Sequence, residues 1–182
     1  QEAKRRRAAG EDVIDLGAGE PDFPTPAIPA EAGHRAIREG KTHYPANEGI
    51  LELRAAAAKH LSVLSGGRPV NADNIVVSSG SKQSLFNVCF TLFGPSDVVA
   101  IPAPAWVSYP QIVHLARARP VLVPGDPEWS LKVGVRDLER VVPGAQGLIL
   151  CSPCNPTGAV YTHGEIRAIA QWALEKKVCM DR

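Results

Sequence analysis

The 182-residue sequence contains no apolar run approaching the about 20 residues of a membrane span. A chain without membrane contact is therefore expected. Charge of one sign is also missing: 20 basic residues stand against 19 acidic ones, a net charge of +1. Such a balance gives no electrostatic case for nucleic acid or a lipid surface as partner. The one local excess, Lys4-Arg5-Arg6-Arg7, reads as a solvated helix face. It runs into Ala8-Ala9-Gly10-Glu11-Asp12 and not into an apolar core, which argues against a secretory leader. Metal-ligand patterns are scarce. Cys151 and Cys154 have C-x-x-C spacing, but no second pair or paired histidine follows, so no metal site is expected. Cys89, Cys151, Cys154 and Cys179 read as free thiols of a reducing, cytoplasmic compartment. No internal repeat or low-complexity tract stands out.

What is present is a core-forming composition, 45% apolar, and an alternating pattern from Ile50 onward. Ala- and Leu-rich helical spacing covers Ile50 to Leu64 and stops at Gly66-Gly67. Short β-branched or aliphatic runs predict strands at Ile75-Val76-Val77, Val98 to Ile101, Val121 to Val123 and Leu148 to Leu150, with one more opening at Val178. Helices are predicted between them, over Ser81 to Phe93, Val107 to Ala118, Arg136 to Val142 and Glu165 to Glu175. Strands spaced by helices argue for an α/β fold, a mostly parallel sheet with helices on both faces, in which Ile75, Val98, Val121 and Leu148 share one sheet. The first 45 residues differ. One short strand, Val13 to Leu16, precedes a stretch with Pro21, Pro24, Pro26 and Pro29, which predicts an extended arm. The expected division is residues 1–45, a small-domain segment and arm, and residues 46–182, a ligand-binding large domain.

Ligands of a parallel α/β sheet collect at the carboxyl ends of its strands. Ser78-Ser79-Gly80-Ser81-Lys82-Gln83 follows the run at Ile75 and enters a helix. Small residues there let backbone N–H groups approach an anion, and the helix dipole favours it; the same residues also serve as ordinary caps. Trp106 stands in a proline-rich loop after the next strand and offers a face for a flat ring, or is a half-buried Trp without a ligand. Asn155, in Asn-Pro-Thr-Gly after the strand at Leu148, can donate to a ligand oxygen or simply make a turn. Together the three describe a site for a phosphorylated aromatic cofactor.

On these stretches the sequence resembles the fold-type-I, class I aminotransferases that depend on pyridoxal 5'-phosphate (PLP), the group of the bacterial aspartate aminotransferases. The resemblance is carried by Leu16 to Pro26 (LGAGEPDFPTP), Tyr44-Pro45-Ala46-Asn47-Glu48-Gly49, Glu52-Leu53-Arg54, Ser79 to Gln83, Trp106 to Pro110 and Asn155 to Gly158, in family order. It implies a role for each matching residue. Gly19 would meet the substrate α-carboxylate. Tyr44 would reach across a homodimer interface to the partner's cofactor phosphate. Gly80, Ser81 and Lys82 would form the phosphate loop. Trp106 would stack on the pyridine ring, and Asn155 would bond its hydroxyl oxygen, both also bordering the substrate. Asp181 would pair with the ring nitrogen, although Arg182 follows it where the family has Glu.

The family's Schiff-base lysine, in a Ser-x-Ser-Lys setting, and its later arginines have no counterpart, so the chain reads as a fragment truncated at its C-terminus and at its N-terminus. Ser79-Gly80-Ser81-Lys82 imitates the lysine motif but opens a helix after an early strand. No catalytic residue is assigned. The intact enzyme would exchange an amino group between an amino acid and a 2-oxo acid, with an acidic or dicarboxylic substrate expected because Lys82 at the site mouth can meet a side-chain carboxylate; aspartate, glutamate and prephenate are candidates, and an aromatic substrate stays open. A PLP lyase or synthase of the same fold, or a non-catalytic PLP-binding fragment, are the other readings. Of the seven lysines, only Lys82 falls near the expected pocket, and Lys132 falls in a loop. The chain by itself is therefore expected not to transaminate.

Overall fold

The computed structural model describes residues 2–181 apart from 16, 18 and 20, and of Asp181 only the backbone. The chain divides into two compact units, Gln1–Ala46 and Asn47–Arg182.

In the first unit, helix α1 spans Glu2–Ala8 and α2 spans Ala27–Arg38, neither with a buried residue. The basic run lies on α1, where Arg5 pairs with Glu2 at 2.8 Å and Arg6 with Glu11 at 2.6 Å. Two expectations fail here. Residues 13–15 form no strand, because no neighbouring chain bonds them among the described residues; Leu16 lies outside those residues. The proline-rich stretch is not extended throughout. Pro29 sits in the first turn of α2, where a missing N–H costs nothing because first-turn amides have no intrahelical partner.

The second unit is a four-stranded parallel sheet in the order β2-β1-β3-β4, with β1 at Val98–Ala103, β2 at Arg119–Pro124, β3 at Gly147–Ile149 and β4 at Cys179–Asp181. Ala100 is the pivot, in register with Val121 on one side and Leu148 on the other. Alternate β1 residues point to opposite faces. Val99, Ile101 and Ile149 pack with Leu85 and Cys89 of α4 (Ser81–Leu92) and Ile112 and Val113 of α5 (Ser108–Leu115). Ala100 and Leu148 pack with Leu138 of α6 (Val135–Val141) and Ile169, Trp172 and Ala173 of α7 (His163–Lys176). Helices thus cover both faces, and the strands are apolar on both sides, as a parallel sheet requires.

Local chemistry sets the helix ends. Helix α3 (Leu51–Leu64) stops where Gly66 and Gly67 take φ of +72° and +88° and return their amides to Val63 and Ser62. Helix α7 starts with a reciprocal cap: Thr162 N–H donates to Glu165 Oε2 at 2.7 Å, and Glu165 N–H to Thr162 Oγ1 at 3.3 Å.

Ile75-Val76-Val77 is not a strand of this sheet. Ile75 has an extended backbone, yet no strand lies alongside among the described residues; Val77 N–H donates to Glu48 O at 2.9 Å, and Val76 is 67% exposed. A β-branched run fixes the backbone shape, but a ladder also needs a neighbour. No helix of the described residues is long and apolar enough to cross a membrane.

Candidate functional site

The chain leaves β1 to form β2 on one side and returns to form β3 on the other. The carboxyl ends of β1 and β3 therefore diverge and open a crevice, the place where open α/β sheets bind ligands. A cleft of about 590 Å³ occupies this position. Ser81 and Lys82 line it from the start of α4, Leu85 and Val88 from the next turns of that helix, Trp106 and Tyr109 from beyond β1, and Ile149 to Ser152 with Asn155 from the end of β3 onward.

The α4 end is suited to an anion. Gly80 precedes the helix with φ of +81°, a conformation that side chains resist, and no side chain caps the helix. Gln83 N–H turns back to Gly80 O at 3.1 Å, while the Ser81 and Lys82 amides ahead of it open toward an anion and add the dipole of a three-turn helix. The loop before it is held by Ser79 N–H donating to Gln83 Oε1 at 2.6 Å. Upstream, Arg54 has a side chain only 12% exposed. Its Nε donates to Ala72 O at 3.1 Å and Ile75 O at 3.2 Å, and its guanidinium pairs with Asp73 at 3.2 Å and Glu48 at 3.5 Å. Arg54 thereby fixes the segment that leads into the loop.

Trp106 is half-buried. Tyr109 meets it edge to face, 5.4 Å between centroids and 83° between planes, and Lys82 Nζ lies 4.8 Å from its ring centroid. The ring is thus braced on one side while bordering the cleft, and Lys82 rests against the ring as well as beside the helix start.

Asn155 lies in a loop closed on itself by Tyr161 N–H to Ser152 Oγ at 3.1 Å, Cys154 N–H to Ala159 O at 2.8 Å and Gly158 N–H to Cys154 O at 2.7 Å. Behind this loop sit Lys132, Glu165 and Tyr161. Burial raises the Tyr161 phenol above its ordinary 10.0, with the Val133 backbone bond opposing. The Lys132 hydrogen bond, then the Thr162 amide, lowers the Glu165 carboxyl below its usual 4.5. All four cysteines are free.

The structure thus brings Ser81, Lys82, Trp106 and Asn155, expected separately at three sheet ends, into one cleft. Gly19 and Tyr44 belong to the first unit, where both are exposed. The Asp181 side chain lies outside the described residues. Tyr109, Ser84 and Ser152 also line the cleft and were given no role from sequence; for Tyr109 the signal was its place in the Trp106 to Pro110 motif. Lys132, expected in a loop, is there but is buried and ion-paired.

Comparison with known proteins bears on the same residues. The family profile described as aminotransferase class I and II matches residues 11–180. A bifunctional aspartate aminotransferase and glutamate/aspartate-prephenate aminotransferase of Petunia hybrida is 45% identical over 164 residues, 90% of this chain and 34% of that protein. A probable aspartate/prephenate aminotransferase of Thermus aquaticus is 43% identical over 173 residues, 93% of this chain and 44% of that protein. Among solved structures, an aspartate aminotransferase from Thermus thermophilus with maleate superposes with a TM-score of 0.92 at 38% identity, covering 98% of this chain and 47% of that one. The chain therefore spans less than half the length of these relatives. With a matching profile over nearly all of its length and a shared α/β architecture, it belongs to the class I and II aminotransferase family.

Proposed function

We propose that this chain supplies the cofactor-binding N-terminal portion of an aminotransferase that moves an amino group between a dicarboxylic amino acid, such as aspartate or glutamate, and a 2-oxo acid. The enzymes of this family are PLP-dependent. The observation that carries the reading is the convergence of Ser81, Lys82, Trp106 and Asn155 on one cleft at the switch between β1 and β3.

The residues fit the cofactor. The uncapped start of α4, with Gly80 and the Ser81 hydroxyl, binds a phosphate. Trp106 presents a braced ring for stacking. Asn155 donates to an oxygen on the ring, and Asp181 would hold the ring nitrogen protonated. Leu85, Val88, Ile149 and Leu150 form an apolar wall that limits water. When bound, PLP supplies an electron sink for bonds to the substrate α-carbon. Lys82, whose ammonium lies against Trp106 at the cleft, is placed to meet a side-chain carboxylate of the substrate. Aspartate and prephenate appear in the relatives' names, which supports a dicarboxylic substrate. In this reading residues 1–45 form an arm and small-domain segment and residues 46–182 the cofactor domain. Gly19 serves the α-carboxylate. Tyr44, fully exposed, serves a second copy in a cytoplasmic homodimer.

Among the described residues, Lys82 is the lysine that lines the cleft, and Lys4, Lys59 and Lys177 are exposed. Lys132 is buried against Glu165 at 2.7 Å, Lys176 pairs with Glu139 at 3.7 Å, Lys41 with Glu39 at 2.8 Å, and Lys82 serves the phosphate and substrate side. Losing one positioned general base already costs roughly 10²–10⁴-fold. The test is to incubate the purified chain with PLP, aspartate and 2-oxoglutarate, follow glutamate, and then reduce with borohydride. The expected result is reversible PLP binding without turnover. Enzyme-like turnover, or stoichiometric covalent PLP on Lys82, contradicts the assignment.

A further inference from the structure

Lys132 and Glu165 form an ion pair that stability alone does not explain. Their Nζ–Oε1 distance is 2.7 Å, and their side chains are 10% and 19% exposed. Taking the Lys132 ammonium out of water costs free energy before its attraction to the half-buried Glu165 repays it, and an apolar pair of similar volume often serves stability as well or better. The pair therefore calls for another reason.

Its connections supply one. Lys132 follows β2 in a turn pinned by Asp126 N–H to Lys132 O at 2.9 Å and Leu131 N–H to Asp126 O at 2.8 Å. From there its ammonium faces Trp129 at 4.6 Å and Tyr161 at 5.7 Å, a partial aromatic box. The adjacent residue, Val133, donates its N–H to Tyr161 Oη at 2.8 Å and accepts from that hydroxyl at 3.2 Å. Glu165 divides its carboxylate between Lys132 and the Thr162 amide at the start of α7. Tyr161 and Thr162 are the last residues of the loop that carries Asn155, and Tyr161 N–H closes that loop on Ser152 Oγ, which lines the cleft. Lys132, Tyr161 and Asn155 also line one void of about 10 Å³, room for no more than a single water. Lys132 and Asn155 thus border one small gap.

We propose that Lys132 and Glu165 are positioning residues: their ion pair, with its ammonium seated on Trp129 and Tyr161, clamps the loop after β2 to the loop after β3 and so fixes Asn155 at the cleft. The clamp has direction. One Glu165 oxygen accepts from Lys132 and the other from the Thr162 amide, so the carboxylate is held at both ends, whereas an apolar contact would let the two loops slide. The proposal rests on the cofactor reading only for what Asn155 finally touches.

The test compares the chain with Lys132→Met/Glu165→Gln, which removes the charges but keeps volume and the α7 cap, and with Lys132→Arg, which keeps the cation. Hydrogen exchange is followed by mass spectrometry over residues 152–162 and over β1, alongside the thermal midpoint and the visible circular dichroism of added PLP. Positioning predicts that exchange over 152–162 rises at least about tenfold in the double variant. It also predicts that β1 and the thermal midpoint hold, that the PLP signal weakens, and that Lys132→Arg restores the loop. Unchanged exchange over 152–162 overturns the proposal. So does a uniform rise that includes β1, since the pair would then be only a structural prop. If the unaltered chain gives no PLP signal while the loop responds as expected, the clamp stands and the cofactor reading falls.

Discussion

Replacing Trp106 with alanine tests whether its ring is a cofactor platform or a half-buried side chain with no ligand. The ring touches Tyr109 at 5.4 Å and Lys82 Nζ at 4.8 Å, and is not part of either core cluster. An aromatic pair contributes about 0.5–1.5 kcal/mol beyond area burial. At about 1.4 kcal/mol per tenfold, loss of the platform weakens PLP binding by roughly 2- to 12-fold. Release of Lys82 from the ring works in the same direction, because an unconstrained ammonium loses more rotamer freedom on meeting an anion. The global fold barely notices, since Trp106 is half-buried at a sheet end. The assay is equilibrium dialysis of PLP against the chain, against Trp106→Ala and against Trp106→Phe, with the phenylalanine variant falling between the other two. Equal affinity for all three refutes the stacking argument. A large fall in the thermal midpoint of Trp106→Ala would show that the ring serves the core instead.

Three more outcomes follow from particular contacts. Gly147 of β3 lies under Phe93, and an added Cβ would collide with that ring; Gly147→Ala is expected to cost about 1–3 kcal/mol by overpacking, read from urea unfolding. Arg54→Met removes a guanidinium that bonds two backbone carbonyls. The expected loss is about 1.5–3 kcal/mol per charge-assisted bond removed, with faster hydrogen exchange over 72–80 ahead of any change in β1. Glu165 has its folded-state carboxyl pKa depressed. Its contribution is therefore present above the ordinary 4.5 and fades as pH falls through the lower folded value. Unfolding measured from pH 7 downward is expected to lose part of its acid slope in Glu165→Gln.

Much of the fold was legible because helices and buried parallel strands announce themselves by period and composition. The runs at Val98, Val121 and Leu148 and the four intervening helices fall where the pattern puts them, within a residue or two at most ends. What the pattern could not convey was pairing. Ile75-Val76-Val77 is as β-branched as the true strands, but strand identity depends on a neighbour that local sequence does not encode. Helix α2 was hidden by Pro26 ahead of it and Pro29 within it, because proline breaks a helix in the interior but is tolerated in a first turn. At the cleft, strand-end loops led to Trp106 and Asn155 because topology places such loops together; Ser81 borders the same cleft because α4 packs on the sheet, although the run before it pairs with no strand among the described residues. The burial of Lys132 was not legible. A lysine in a loop is solvated by default; Trp129 is near in sequence, but Tyr161 and Glu165 reach Lys132 only through contacts distant in sequence.

The central claim is that the crevice between the ends of β1 and β3 holds a phosphorylated pyridine ring with its phosphate at the start of α4. A crystal structure of the chain grown with PLP tests it most directly. The phosphate is expected at the amides of Ser81 and Lys82, the ring against Trp106, and the Asn155 side chain within hydrogen-bond distance of a ring oxygen. PLP bound elsewhere, on surface lysines or with its phosphate away from α4, would contradict it.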